Sequence, residues 1–301
     1  PSGVAPAAVA AAIADATSPF DRFVALISNA KRLCVLTGAG ASAESGITPF
    51  RSWGDELDAE ANPDRPTPFW KRYDASLMTY ANFLSDVDVR RAFWDKDRAV
   101  YEQCVAASPN AGHYLWSRLA AAGKDVMIIT QNIDQLHARA GTPSDRLVEL
   151  HGSLFAPIKC VGCGAQYDPH SVRKRVATGR QLVPVCDGQS LAAEARLWTP
   201  SGCGSPLKPG TVLFGEPLDL ERITRAREAI GACDALVVVG SSLVVEPANT
   251  LPGIALKRGA PVGMVNLGST RYDDAAAVHI RAPAAETLGA VAAALFGDGG
   301  C

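Results

Sequence analysis

The chain has 301 residues, 48% of them hydrophobic, enough for one large domain or a domain with an inserted module and a normal packed core. Its 29 Lys and Arg against 31 Asp and Glu leave a net charge of −2, with no long charge run, which gives no basis for direct nucleic-acid binding. No apolar stretch reaches the ~18–20 residues of a membrane span, so no membrane partner is expected.

Residues 4–30 read as helical with a break at Ser18-Pro19. Ala5–Ala16 is alanine-rich but contains Asp15 and lacks a basic leader, so it does not read as a secretory signal. The chain starts at Pro1 without Met, and the expected location is intracellular: cytoplasmic, or mitochondrial if a targeting segment has been removed. The apolar run Leu33–Leu36 predicts a strand over 32–36. It leads into Thr37-Gly38-Ala39-Gly40-Ala41-Ser42-Ala43-Glu44-Ser45-Gly46, a glycine turn opening a short helix. Such a turn alone is a weak signal and often only structural. Here the amides near Gly40 and Ala41 are expected to face a pyrophosphate, Ser42 to add a hydroxyl, and Arg51, after Phe50, to close over the ligand. Residues 47–75 read as a long, mobile, cofactor-binding loop. Helical patterns fill 76–122, the last capped by Asn110 and stopped at Gly123.

A second strand, 125–130, ends in Gln131-Asn132-Ile133-Asp134. Asp134 by itself can be a helix cap. Three hydrogen-bonding side chains in four positions exceed what a cap needs, and they suit a sugar and a carboxamide. A helix then ends at Gly141, and strand 147–150 ends at His151, before Gly152-Ser153. A lone histidine is more often structural. Unlike His113, His137, His170 and His279, His151 stands at a strand's carboxyl end in line with the two polar turns, where open α/β sheets bind ligands and where an imidazole can take a proton near pH 7.

Residues 156–208 break the rhythm with four of the chain's eight cysteines. Cys160-Val-Gly-Cys163 is a thiolate knuckle, and Ser-Gly-Cys203-Gly is half of another. Cys186 is the expected fourth ligand, with His170 or Asp187 as substitutes. The set reads as a closed structural zinc site in a small inserted module. Cys34 and Cys233 lie in or beside apolar strand patterns and read as core residues. Beyond the insert the alternation resumes: strand 212–214, helix 219–231, strand 235–239, Gly240-Ser241-Ser242, helix 248–258, strand 262–265, Asn266, a strand near 278–280, and a helix ending near Phe296. The expected fold is α/β: a Rossmann-like parallel sheet with helices on both faces, built from 1–155 and 209–301, plus the zinc-binding module 156–208. The polar turns together call for a dinucleotide whose nicotinamide ribose is the reacting centre. The acidic strand end of a hydride-transfer fingerprint is missing, which disfavours a dehydrogenase.

These motifs resemble those of the sirtuins, in family order over roughly 30–296: Gly38 through Arg51, Thr130–Asp134, Leu150–Ser153, Val212-Leu-Phe-Gly-Glu216, Gly240–Ser242 and Asn266. The resemblance implies NAD-dependent removal of an acyl group from a protein or peptide lysine, giving nicotinamide and 2′-O-acyl-ADP-ribose. It implies that His151 is the base and that Asn132 and Gln131 position the ribose and a water. Asp134 with Ile133 would hold the carboxamide. Further cofactor contacts would come from Gly38, Ala39, Gly40, Ser42, Glu44, Phe50, Arg51, Gly240, Ser241, Ser242, Asn266 and Ala284, and substrate contacts from Val212, Phe214, Gly215 and Glu216. Where the acidic-acyl branch carries Tyr-x-x-Arg, this chain offers Phe93 and Lys96. Phe93 and Lys96 are therefore expected substrate contacts and acetyl the first choice, with acidic acyl groups poorer unless Arg98 turns inward; the blander alternative leaves Lys96 and Arg98 on a solvated helix face. The competing readings are mono-ADP-ribosyl transfer, NAD hydrolysis and a non-catalytic NAD sensor. The oligomeric state is open.

Overall fold

The computed structural model describes residues 6–49, 79–188, 191 and 202–297. Two helices open the chain, α1 (Pro6–Ala14) and α2 (Pro19–Asn29). The break between them is a cap. Ser18 Oγ accepts the Asp21 amide, and Pro19 takes a first-turn position where a missing N–H costs nothing. Strand β1 (Arg32–Thr37) is followed by two single 3-10 turns, Ala39–Ala41 and Ala43–Ser45. Next come α3 (Tyr80–Ser85), α4 (Val87–Ala106) and α5 (Ala111–Ala121), the last two capped by Asp86 and Asn110. Strand β2 (Asp125–Thr130), the one-turn helix α6 (Leu136–Arg139) and β3 (Leu147–Glu149) follow.

The chain then forms β4 (Ile158–Cys160), β5 (Gln166–Tyr167), α7 (Pro169–Ala177) and β6 (Leu207–Lys208). The strand–helix alternation resumes with α8 (Leu220–Ala232), β7 (Ala235–Val239), α9 (Pro252–Lys257), β8 (Val262–Val265), β9 (Val278–Ile280) and α10 (Ala284–Phe296).

Six strands pair in the order β3-β2-β1-β7-β8-β9, every pair parallel. All five positions of β7 are buried, as a strand covered on both faces requires. Alternate residues feed two cores. Val35, Val237 and Val265 pack with α1, α2, α5 and α10, whereas Leu36, Leu236, Val238 and Met264 pack with α8 and α9. The order runs outward from β1 in both directions, so the helices that follow β1 and β7 cover opposite faces, and a crevice opens at the carboxyl edge between them. This is the Rossmann-like sheet that the alternation predicts.

A second, antiparallel sheet has the order β5-β4-β6. Its apolar cluster joins Ile158, Tyr167, Val172 and Leu207 to Phe83, Phe93 and Trp94, so α3 and α4 pack on it. The strand expected at 212–214 is not a strand. Among the described residues the segment makes only single bridges, Gly152 to Thr211 and Thr79 to Phe214. It meets a different neighbour at each bridge, so no ladder runs along it.

Candidate active site

A cavity of about 1210 Å³ opens at the carboxyl edge of the large sheet. Gly38, Ala39, Gly40 and Glu44 line it after β1, Gln131, Asn132 and Ile133 after β2, and His151 beyond β3. Gly240, Ser241 and Ser242 follow β7, Asn266 follows β8, and Ala284 opens α10. Phe93 and Lys96 of α4 complete the wall with Val212, Phe214, Gly215 and Glu216. Ser42 and Asp134 sit behind this wall. Phe50, Arg51 and most of the expected cofactor loop lie outside the described residues.

The loops after β1 and β7 meet closely. A Cβ at Gly240, where φ is +59°, would fall 2.2 Å from the Ala41 nitrogen, so only glycine fits. The Gly40 amide donates to the Gly240 carbonyl at 2.9 Å and the Ala41 amide to the Gly38 carbonyl at 3.0 Å. The first bond ties the loop after β1 to the loop after β7, and the second closes the 3-10 turn within the β1 loop, so both amides expected to face a pyrophosphate are bonded to backbone carbonyls.

The turn after β2 is held by a buried polar network. Asn132 Nδ2 donates to the Gly38 carbonyl and to Ser42 Oγ, both at 3.0 Å. Ser42 Oγ donates to Asp134 Oδ2 at 2.7 Å, and the Leu136 amide to Asp134 Oδ1 at 2.9 Å. Asp134 therefore takes the first amide of α6, while the N-cap position itself is Gln135, whose side chain makes no cap bond. Burial raises the Asp134 pKa, opposed by those hydrogen bonds. Asn132 Oδ1 is buried with no partner among the described residues. Such an orphan acceptor beside a cavity marks a place for a ligand donor.

His151 lies 2.9 Å, through Nδ1, from the Gln131 carbonyl oxygen. A carbonyl can only accept, so the proton sits on Nδ1 and Nε2 is bare. Desolvation lowers the pKa, against the raising effect of that backbone bond, so the ring is neutral near pH 7. Gly152, at φ +73°, turns the chain immediately after it, and a Cβ there would lie 2.0 Å from the Gly210 carbonyl oxygen.

Lys96 is 8% exposed and lines the cavity, and burial lowers its pKa to about 7 despite Asp97. The solvated-face alternative therefore fails for Lys96, whereas Arg98 turns to Glu102 at 2.8 Å. The reason is the packing of α4 on the small sheet. Next to it, Asp97 forms a buried two-point pair with Arg173 of α7 at 2.7 and 3.2 Å. Glu216 turns inward: its carboxylate takes Lys208 Nζ at 3.0 Å and the Leu213 amide at 2.9 Å. Lys208 also donates to the Thr211 carbonyl at 2.7 Å, so one ion pair knits 208–216 together. Glu44 accepts the first amides of α10, from Ala285 and Glu286. Motif reading missed Asp97, Arg173 and Lys208, because nothing local marks a charge that becomes buried.

The ligand atoms of Cys160, Cys163, Cys186 and Cys203 lie within 4.8 Å of one another. Cys160 and Cys203 sulfurs are 3.4 Å apart, and those of Cys163 and Cys186 are 3.7 Å apart. Tetrahedral Zn–S bonds of about 2.3 Å separate sulfurs by roughly 3.8 Å, so the set fits zinc. Cys186 is the fourth member. Asp187, a candidate substitute, pairs with Arg175 instead.

A family profile described as Sir2 family matches residues 38–247. The chain belongs to the Sir2 family. The sirtuin resemblance of the motifs thus extends to the whole fold. An NAD-dependent protein deacetylase of Bradyrhizobium diazoefficiens is 34% identical over 275 residues, covering 91% of this chain and 96% of that protein. An NAD-dependent protein deacylase of Archaeoglobus fulgidus is 37% identical over 265 residues, covering 87% and 90%. Among solved structures, one described as a basis for the mechanism and regulation of Sir2 enzymes superposes with a TM-score of 0.74 at 35% identity, covering 91% of this chain and 96% of that one. A Sir2 histidine variant with deacetylated p53 peptide and 3′-O-acetyl ADP ribose gives 0.77 at 29% identity, covering 92% and 98%.

Proposed function

We propose that this chain removes acyl groups, acetyl first, from protein lysine in an NAD-dependent reaction yielding nicotinamide and 2′-O-acyl-ADP-ribose. The observation that carries the reading is His151, a neutral imidazole with a bare Nε2 on the cavity wall. Relatives named as NAD-dependent deacetylases and deacylases support it.

The cavity fits a dinucleotide in size and chemistry: glycine turns at its centre, Asn266 and Ala284 on one side, and the orphan Asn132 acceptor on the other. Bound NAD would supply an activated ribosyl carbon, a leaving nicotinamide and a hydroxyl to receive the acyl group. His151 takes the hydroxyl proton on Nε2 while the Gln131 carbonyl stabilises the imidazolium that forms. Asn132 Oδ1 orients the ribose hydroxyl or a water. Asp134, fixed by Ser42, accepts from the carboxamide, with Ile133 against its face. Gly38, Ala39, Gly40, Ser241 and Ser242 bracket the diphosphate. Val212–Glu216 pairs with the substrate main chain as an added strand. Phe93 and Lys96 wall the acyl end.

Zinc on the four thiolates is structural, since a closed four-sulfur site leaves no position for chemistry. Residues 156–208 form the zinc-binding module of the unit made by 1–155 and 209–301. Among the described residues no helix is long and apolar enough to cross a membrane. We place the protein inside the cell, where thiolate zinc sites persist.

A panel of acyl-lysine peptides with and without NAD, read by mass spectrometry, tests the proposal. Acetyl should be lost only when NAD is present. NAD consumption with intact peptide would favour hydrolysis, and a mass gain of one ADP-ribose on protein would favour transfer.

A further inference from the structure

Behind the polar loops lies a layer that the proposed reaction leaves unused. His113 of α5 and His137 of α6 are 1% and 2% exposed, and their ring centroids are 4.7 Å apart. Neither ring lines the cavity. His137 Nε2 is 3.1 Å from Thr37 Oγ1, and Thr37 donates its own proton to Thr130 Oγ1 at 2.8 Å. Thr37 can then only accept, so His137 carries its proton on Nε2. Its Nδ1 has no partner among the described residues, which a bare nitrogen tolerates better than an N–H. Thr130 Oγ1 also accepts the Asn132 amide at 3.0 Å, so this chain of bonds ends in the catalytic turn.

The same reasoning applies to His113. Its Nε2 is 3.4 Å from Ser42 Oγ, whose proton is already on Asp134. Ser42 accepts from Asn132 Nδ2 and has one lone pair left for His113 Nε2–H. His113 Nδ1, then bare, accepts the Asn110 amide at 3.2 Å. The opposite tautomer would give Nδ1–H to Asn110 Oδ1 at 3.0 Å, but it would turn a lone pair of Nε2 against the Ser42 oxygen. Burial holds both rings neutral, His113 down to about 4 and His137 well below the ordinary imidazole value.

We propose that His113, packed at a tilt against His137, is a positioning residue for the carboxamide-reading end of the site: its Nε2–H holds Ser42 as an acceptor, so that the Ser42 hydroxyl keeps donating to Asp134 and the Asn132 amide leaves its Oδ1 free. The inference rests on the reading that Asp134 and Asn132 engage NAD. It predicts an effect on NAD recognition and none on parts of the ligand that lack the carboxamide.

Calorimetric titration of His113→Gln and His113→Phe with NAD and with ADP-ribose tests it, alongside the wild type and a melting curve. Glutamine can place an N–H near the Nε2 position, whereas phenylalanine cannot. His113→Phe should weaken NAD about tenfold, the scale of one buried hydrogen bond, with ADP-ribose within about twofold. His113→Gln should restore NAD binding to within about threefold. In the active enzyme the Phe variant should raise the KM for NAD and the nicotinamide concentration for half inhibition together, with the peptide KM unmoved. Equal weakening of NAD and ADP-ribose, or a Gln variant as impaired as the Phe variant, overturns the proposal in favour of a merely structural role. If His113→Phe does not fold, Ser42→Ala carries the same comparison, and an unchanged NAD to ADP-ribose ratio there overturns it too. A wild type that binds neither ligand refutes the underlying NAD reading instead.

Discussion

His151 offers the cavity a bare nitrogen because its other nitrogen is tied to the Gln131 carbonyl. Replacing it by alanine should lower deacylation by ~10²–10⁴ with an unchanged melting temperature, and near-normal turnover would remove it from the mechanism. Its lowered pKa sets the acid limb: the base works when neutral, so kcat/KM should stay flat through pH 7 and fall only below the ordinary value of 6.5. A limb centred above 6.5 would contradict the desolvated site. Lys96 bears on acyl choice. Its amine titrates near 7, charged below and neutral above. If it walls the acyl end, the succinyl to acetyl ratio of kcat/KM should rise as pH falls from 8 to 6, and Lys96→Met should flatten it. A ratio independent of pH would put the amine out of reach of the acyl group. His151 could be singled out from the sequence because a strand end is a local signal, and it lines the cavity. Lys96 could be named as a substrate contact through the family match, but a solvated face stayed open for it, because burial of α4 against the small sheet is a long-range event.

At the scale of elements, the segment 208–216 depends on one ion pair. Lys208 Nζ meets Glu216, Thr211 and Pro209 oxygens, and Glu216 also takes the Leu213 amide. Removing one partner strands the other in a half-buried place. Lys208→Met should raise the peptide KM roughly tenfold while NAD binding stays within about twofold. Equal loss of both would make the pair a global rather than a local support. The zinc knuckles are the second such element. Cys160→Ser and Cys186→Ser should each lose the metal and lower the melting temperature, and one zinc per chain should be found in the wild type. Tight zinc in Cys186→Ser would contradict the four-sulfur set. The strands over 235–239 and 262–265 were legible as apolar runs bounded by turns. The strand expected at 212–214 failed because a short apolar run says nothing about which partner lies beside it. The packing of Phe83, Phe93 and Trp94 on the small sheet was equally hidden, since helical periodicity shows that a face is buried but not against what.

For the whole molecule, buried titratable groups of opposite sense set the response to acid. His113 resists protonation down to about 4, while an unfolded chain takes up that proton below 6.5. Its contribution is therefore complete above 6.5 and is lost as pH falls toward 4. Glu149, raised to about 7 by burial, acts with the opposite sign. Comparing wild type with His113→Gln cancels Glu149, and the wild type should lose on the order of 2 kcal/mol relative to the variant between pH 7.5 and pH 5. A constant difference across that range would mean that His113 is not held neutral. The large-scale architecture was the most legible level, because alternating strands and helices with polar strand ends allow few topologies. What escaped was the layer behind the site. Asn110 and His113 read as a helix start and a helical residue, and only the folded chain brings His113 to Ser42, 71 residues away in sequence, and Asn110 to Ala41 and Ser45.

The central claim is that acyl transfer to NAD, not NAD cleavage alone, is the reaction of this site. The most direct measurement is the stoichiometry of products from one acetyl-lysine peptide. The wild type should yield nicotinamide, deacetylated peptide and O-acetyl-ADP-ribose in equal amounts, and His151→Ala none of the three at a comparable rate. Nicotinamide released with free ADP-ribose and an intact peptide would contradict it.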